Sequence, residues 1–261
     1  MKPYVGITGA ASKKEADAVL KEFANAGFTM QSGHVPMLGI LVSYKRLMGI
    51  PQDNLQFPRF QEVYFLLKQG AGKALTMVHY NSREISTLSD QVYRIFNHLY
   101  RDDVCKAVQL NITWPDIKQV KQIKKDFPEM QIVFEANKTV LEGKSAGDVA
   151  QGIKQYGSLI DYVLIDPSEG NGEEFDVNNS IHIYQELKDR LQNVTIGFAG
   201  GFTGENVEER VQRLASALGN TDFCIDAQGK LRDKVGEAYG QDKLNIKKVK
   251  AYLQNASKIL K

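Results

Sequence analysis

Two segments late in the chain carry the clearest chemical signal. Thr195-Ile196-Gly197-Phe198-Ala199 runs into Gly200-Gly201-Phe202, and a helix begins near Gly204 or Glu205. Phe223-Cys224-Ile225-Asp226 runs into the small-residue loop Ala227-Gln228-Gly229-Lys230. Glycines let backbone N–H groups approach a ligand closely, and a helix N-terminus adds partial positive charge, a combination suited to a phosphate dianion. The plainer alternative is that Gly200 and Gly201 only permit a tight turn. Polar and ionisable side chains also stand at or near the ends of apolar runs: Thr8, His34, His79, Asn81, Asn111, Glu135, Asn137, Asp166 and Asp226. Imidazoles and carboxylates suit proton transfer. Each histidine could equally be a satisfied structural side chain, Asp166 could cap the turn before Pro167, and Glu135 is either salt-bridged or perturbed and functional. Asn81, Asn111 and Asp226 are candidate substrate ligands. Metal chemistry through His34, His79, Glu135 and Asp166 finds no HxH or HExxH spacing, and no metal or cofactor is expected.

Such groups need a scaffold that collects strand ends. Tyr4–Thr8, Phe28–Gln31, Leu75–His79, Ala107–Leu110, Gln131–Glu135, Tyr162–Asp166, Thr195–Ala199 and Phe223–Asp226 read as short strands, mostly apolar along their length. That pattern implies a parallel sheet buried on both faces. Between them lie amphipathic stretches, among them Lys13–Ala26, Ile85–Tyr100 and Val207–Leu218. About eight β-then-α units predict an α/β fold closed as a single (β/α)₈ TIM barrel over residues 1–261, with functional groups at the C-terminal ends of its strands. An open doubly wound sheet would show a Gly-rich fingerprint after its first strand, and Gly6-Ile7-Thr8-Gly9-Ala10 lacks it. The segment Ser32–Arg59 is too long for an ordinary connection. It reads as an elongated loop after strand 2 that covers the barrel mouth or mediates homodimer formation, or as a buried extra helix.

Composition narrows the partners. The 261 residues include 33 basic and 31 acidic side chains, a net charge of +2, and 43% are hydrophobic. Near-neutral charge argues against a nucleic-acid or polybasic membrane surface. Met37–Val42, the longest apolar run, is too short to span a bilayer. Two cysteines, Cys105 and Cys224, show no paired spacing, which fits a reducing, cytoplasmic setting.

Ala199-Gly200-Gly201-Phe202-Thr203-Gly204-Glu205-Asn206-Val207 resembles the Ala-Gly-Gly-Leu-x-x-Glu-Asn-Val segment of phosphoribosylanthranilate isomerases, barrel enzymes of tryptophan biosynthesis. Val163-Leu164-Ile165-Asp166, with Gly170-Asn171-Gly172 and Phe175-Asp176, is similar to that family's strand-six aspartate, Gly-rich loop and Phe-Asp. Val108-Gln109-Leu110 is similar to its fourth strand, and His79-Tyr80-Asn81 sits where its third strand ends. The resemblance covers most of the chain from about Leu75 onward. It implies an Amadori-type isomerase acting on a phosphorylated sugar or phosphoribosyl compound by acid–base proton transfer, with Asp166 as general acid. Gly172, Gly200, Gly201, Ala227, Gln228 and Gly229 are then the expected phosphate ligands. Thr8, in Gly6-Ile7-Thr8-Gly9, stands where the family has its general-base cysteine, and Asn111 where it has a histidine. Gln31-Ser32-Gly33-His34-Val35-Pro36-Met37 lacks the arginine of the family's Ser-Pro-Arg motif. The base is therefore expected elsewhere: His34 first, His79 second, with Glu135 as a further ionisable group. A non-catalytic barrel that binds a phosphorylated ligand is the alternative.

Overall fold

Runs that are apolar at consecutive positions can be satisfied only where both faces of a strand are buried, and here they close on one another. The computed structural model describes residues 1–111, 114–166, 177–235 and 240–260. The elements run β1 (Tyr4–Thr8), α1 (Lys13–Asn25), β2 (Val35–Ser43), α2 (Tyr44–Leu47), α3 (Phe60–Gly70), β3 (Leu75–Asn81), α4 (Leu88–Arg101) and β4 (Ala107–Leu110). Then follow α5 (Ile117–Asp126), β5 (Gln131–Asn137), α6 (Lys138–Leu141), α7 (Ala146–Lys154), β6 (Tyr162–Asp166), α8 (Val177–Arg190), β7 (Thr195–Ala199), α9 (Val207–Leu218), β8 (Cys224–Ala227) and α10 (Ile246–Ala256). The eight parallel strands form a closed barrel in sequence order. Val5 opposite Ile225 and Ile7 opposite Ala227 join the last strand to the first.

Each long helix lays one stripe on the barrel. In α4 the stripe is Leu88, Val92, Ile95, Phe96 and Leu99, at helical spacing. Local signals set the ends: Ser12 Oγ accepts from the Glu15 amide at the start of α1, and Gly219, at φ 70°, ends α9 in the left-handed conformation. No helix among the described residues is long and apolar enough to cross a membrane.

The second strand departs from the sequence expectation. Phe28–Gln31 is not a strand; β2 is Val35–Ser43, every residue of it buried. It pairs with β1 from Tyr4 opposite Val35 to Thr8 opposite Gly39. The first part of the Ser32–Arg59 segment is thus barrel wall, and the elongated connection after strand 2 is residues 44–59. A short apolar run buried on all sides has no periodicity to separate strand from helix.

The barrel interior changes character along its axis. Tyr4, Val35, Met37, Met77, Ala107, Val133, Tyr162, Leu164 and Cys224 pack together as an apolar floor. Two residues further on, five of these strands carry His79, Gln109, Glu135, Asp166 and Asp226, all buried. Strand side chains alternate with period two, so floor and upper layer project to the same inside face. Glycines make room for the upper layer. A Cβ on Gly6 would lie 2.7 Å from Asp226 Oδ1, and one on Gly39 would lie 2.7 Å from His79 Nε2.

Candidate active site

Above that layer opens a cavity of about 920 Å³ at the C-terminal ends of the strands. His79, Gln109, Glu135, Asp166 and Asp226 line its base, and Asn81, Asn111 and Asn137 stand around them. The turns after β7 (Gly200, Gly201, Phe202) and β8 (Ala227, Gln228, Gly229, Lys230) form part of its wall. These turns, anticipated from their glycines, therefore share one space.

The β7 turn is held in shape from behind. Gly200 and Gly201 take φ values of 99° and 66°, which side chains with a Cβ rarely adopt. The Gly201 carbonyl accepts from Asn206 Nδ2 at 2.9 Å and Arg210 Nη1 at 3.1 Å. Thr203 then turns the chain into α9, its amide donating to Asn206 Oδ1 at 2.8 Å. Among the described residues, the amides of Gly200, Gly201, Gln228, Gly229 and Lys230 donate to no protein acceptor. Donors that face a cavity and have no protein acceptor are available to a bound anion, as at other phosphate sites built from turns.

The base of the cavity is organised around Asp226. Thr8 Oγ1 lies 2.9 Å and 3.1 Å from its two carboxylate oxygens and donates to them. Burial pushes the Asp226 carboxyl up to about 7; the Thr8 and Ala227 hydrogen bonds pull against that rise, and the nearby charge of Asp166 adds to it. His79 Nε2 is 3.2 Å from Thr8 Oγ1 and 4.0 Å from Asp226 Oδ2. Desolvation lowers the imidazole to about 3, so it is neutral and the contact with Asp226 is not an ion pair. While Asp226 is ionised and takes the Thr8 proton, the donor in the second contact is the neutral ring, from Nε2 to the threonine oxygen.

This geometry redistributes the expected roles. Asp166, Glu135, His79, Asn81, Asn111, Asp226 and all the described phosphate candidates line the cavity. Gly172 lies outside the described residues. His34 does not belong to the group: it precedes β2, at the opposite end of the barrel, with Nε2 2.8 Å from the Thr221 carbonyl just ahead of β8. A place at the mouth requires Phe28–Gln31 to be the second strand, whereas β2 begins at Val35. His79 is at the mouth but too strongly desolvated to accept a proton near neutrality. Thr8 lies beneath the lining residues and positions Asp226. Asn111 Oδ1 accepts from Gln109 Nε2 at 2.8 Å.

Sequence reading missed the cavity's cations. Lys45, Arg83 and Lys230 line it, and none makes an ion pair among the described residues. The true end of β2 is Ser43, followed by Tyr44 and Lys45, so the cation at that strand end is Lys45 and not a residue of Gln31–Met37. Arg46 is occupied structurally, with Nε donating to the Phe57 carbonyl at 3.1 Å. The signal that could have located Lys45 was the run Met37–Val42, read as a strand.

Neither a protein-family model nor a curated protein sequence matches the chain. Solved structures do. The phosphoribosyl anthranilate isomerase of Thermus thermophilus is similar over 98% of both chains, at 14% identity and a TM-score of 0.63. The fold is the one that isomerase has. A phosphoribosyl anthranilate isomerase in complex with reduced 1-(o-carboxyphenylamino)-1-deoxyribulose 5-phosphate is similar over 98% of this chain and 99% of that one, at 13% identity and a TM-score of 0.60. Tryptophan synthase subunit alpha of Legionella pneumophila also matches, over 99% of this chain and 92% of its own, at 10% identity and a TM-score of 0.60. Identities this low establish the barrel and leave the chemistry to the site.

Proposed function

We propose that this barrel is an enzyme that holds a phosphorylated sugar or phosphoribosyl compound by its phosphate and moves a proton on it, an isomerase of the Amadori type. The observation that carries the reading is that unused amides of two turns share one cavity with two close carboxylates, Asp166 and Asp226. The amides and Lys230 hold the dianion at one side. Asp166 acts as the acid and Asp226 as the base that replaces the missing cysteine. A carboxyl poised near neutrality can both accept and return a proton, which is what acid–base catalysis at that pH requires. Thr8 and His79 serve as the hydrogen-bonded platform that orients Asp226. Lys45 and Arg83 supply positive charge to the rest of the substrate. The isomerase that carries a deoxyribulose 5-phosphate in its complex has this fold, which supports the phosphate assignment. Both cysteines are buried and unpaired, in keeping with a cytoplasmic setting.

The test is a thermal-shift screen of phosphorylated sugars against their unphosphorylated parents. A ligand that binds only the folded state raises the melting temperature by mass action. Binders are then incubated in D₂O, where proton transfer at carbon appears as deuterium uptake by NMR. A phosphate-dependent shift with deuterium uptake is the expected result. No shift with any phosphorylated compound at millimolar concentration overturns the phosphate assignment; a shift without uptake overturns the catalytic one.

A further inference from the structure

Away from the cavity, the ring of helices is loosely packed between α3 and α4. α1 packs against α3, and α4 against α5, while α3 and α4 touch each other far less. Between them lies a groove of about 380 Å³ formed by Phe60, Tyr64 and Phe65 of α3 and Ile95, His98 and Leu99 of α4. At 64% exposed, Phe65 is surpassed by no large apolar side chain among the described residues. A hole and a protruding ring on the same patch are the ingredients of a self-complementary contact.

The charges on α4 have the same self-complementary order. Arg94, His98 and Asp102 recur at every fourth position and form one exposed ridge along the groove. Arg94 and Asp102 make no ion pair within the chain among the described residues; Arg94 reaches only Met48 Sδ, at 3.5 Å. Asp102 also caps the C-terminus of α4, where the helix dipole disfavours negative charge and a cation is wanted. Arg94 and Asp102 each lie four residues from His98. When the ridge packs antiparallel on a copy of itself about a two-fold axis at His98, Arg94 meets Asp102 of the partner subunit, and the contact repeats by symmetry.

We infer that the α3–α4 groove is the interface of a homodimer, its occupant a second copy of this chain. The axis runs across the helices, so α3 faces α3 and α4 faces α4. Phe65, midway along α3 and part of the groove's lining, then packs against the partner's groove. The cavity at the strand ends stays open in this arrangement, and the inference does not rest on its function.

Sedimentation velocity of the full chain across a micromolar concentration series tests this. The wild type is expected to dimerise reversibly. Arg94→Asp sets carboxylate against carboxylate at both symmetric contacts, and Asp102→Arg sets cation against cation; each should weaken the dimer by at least about tenfold. The double variant Arg94→Asp/Asp102→Arg restores opposite charges and should recover dimerisation to within a few-fold of wild type, with circular dichroism confirming that all three fold. Phe65→Ser should weaken association by about tenfold or more. A wild type that is monomeric at the top of the series overturns the proposal. So does a dimer indifferent to the single charge reversals, or one that the double variant fails to rescue.

Discussion

At the lower end of the barrel the inward positions of β3, β4, β5, β6 and β8 carry Met77, Ala107, Val133, Leu164 and Cys224. One pleat higher, about 7 Å along the same strands, they carry His79, Gln109, Glu135, Asp166 and Asp226. The backbone is continuous between the two layers, and only side-chain chemistry changes. The floor seals the barrel and is satisfied by packing alone. The upper layer must be satisfied by hydrogen bonds, and Thr8 between His79 and Asp226 shows how: one hydroxyl serves a neutral imidazole on one side and a carboxylate on the other. His34 and His79 make the same contrast. His79 belongs to the cavity end and His34 to the closed end, where it ties the approach to β2 to that of β8 through the Thr221 carbonyl.

If the two ends divide the labour this way, substitutions should separate function from stability. The largest effect belongs to the upper layer. Asp226→Asn and Asp166→Asn should each lower turnover by about 10²–10⁴-fold, the range supplied by positioned acids and bases, while binding of a phosphorylated ligand changes only a few-fold. Full activity in either variant removes that carboxylate from its role. Leu164→Ala in the floor should do the reverse. It should cost about 2–5 kcal/mol of stability in urea unfolding and leave ligand affinity where it was; lost affinity with unchanged stability would erase the distinction between the layers.

Gly201→Asp should weaken phosphate-ligand binding by about tenfold or more, because it adds negative charge beside a dianion. Aspartate tolerates the left-handed backbone better than most residues, so charge should dominate over strain. Unchanged affinity by calorimetry would move the phosphate away from this turn.

Asp226 also predicts a pH signature. Its carboxyl is raised in the folded state from 3.8 to about 7, so the folded protein holds this proton more tightly than the unfolded chain. The stability contributed by this carboxyl is therefore lost as pH rises from about 4 to 7, a loss that Asp226→Asn does not share. The melting-temperature margin of the variant over wild type should grow across that interval; a margin that stays flat would mean the carboxyl is ionised throughout. The smallest effect is expected of His34→Gln, with turnover within about twofold of wild type and stability changed by about 1 kcal/mol or less. A large loss of activity there would connect the two ends of the barrel.

Much of this plan is readable in the chain, and what is not has identifiable causes. Seven of the eight strands and the long helices other than α3 (Phe60–Gly70) follow from apolar runs alternating with amphipathic stripes, so the barrel was legible. So were Asp166, Asp226 and the Gly200–Gly201 and Gln228–Gly229 turns, which sit where such runs end. The second strand was not, because Val35–Ser43 is buried throughout and offers no periodicity; that displacement put His34 at the mouth and hid Lys45. Proton affinities were equally out of reach, since they arise from neighbours remote in sequence.

The order of residues along the chain settled the kinds of element, their number, and the candidates at their ends, because these depend on patterns within a few positions. Which candidates meet is a matter of closure. Thr8 lies 71 residues from His79 and 218 from Asp226, and only the pairing of β1 with β2 on one side and β8 on the other brings the three together. That closure removes them from water, which is the physical reason one carboxyl holds its proton near neutrality and one imidazole cannot.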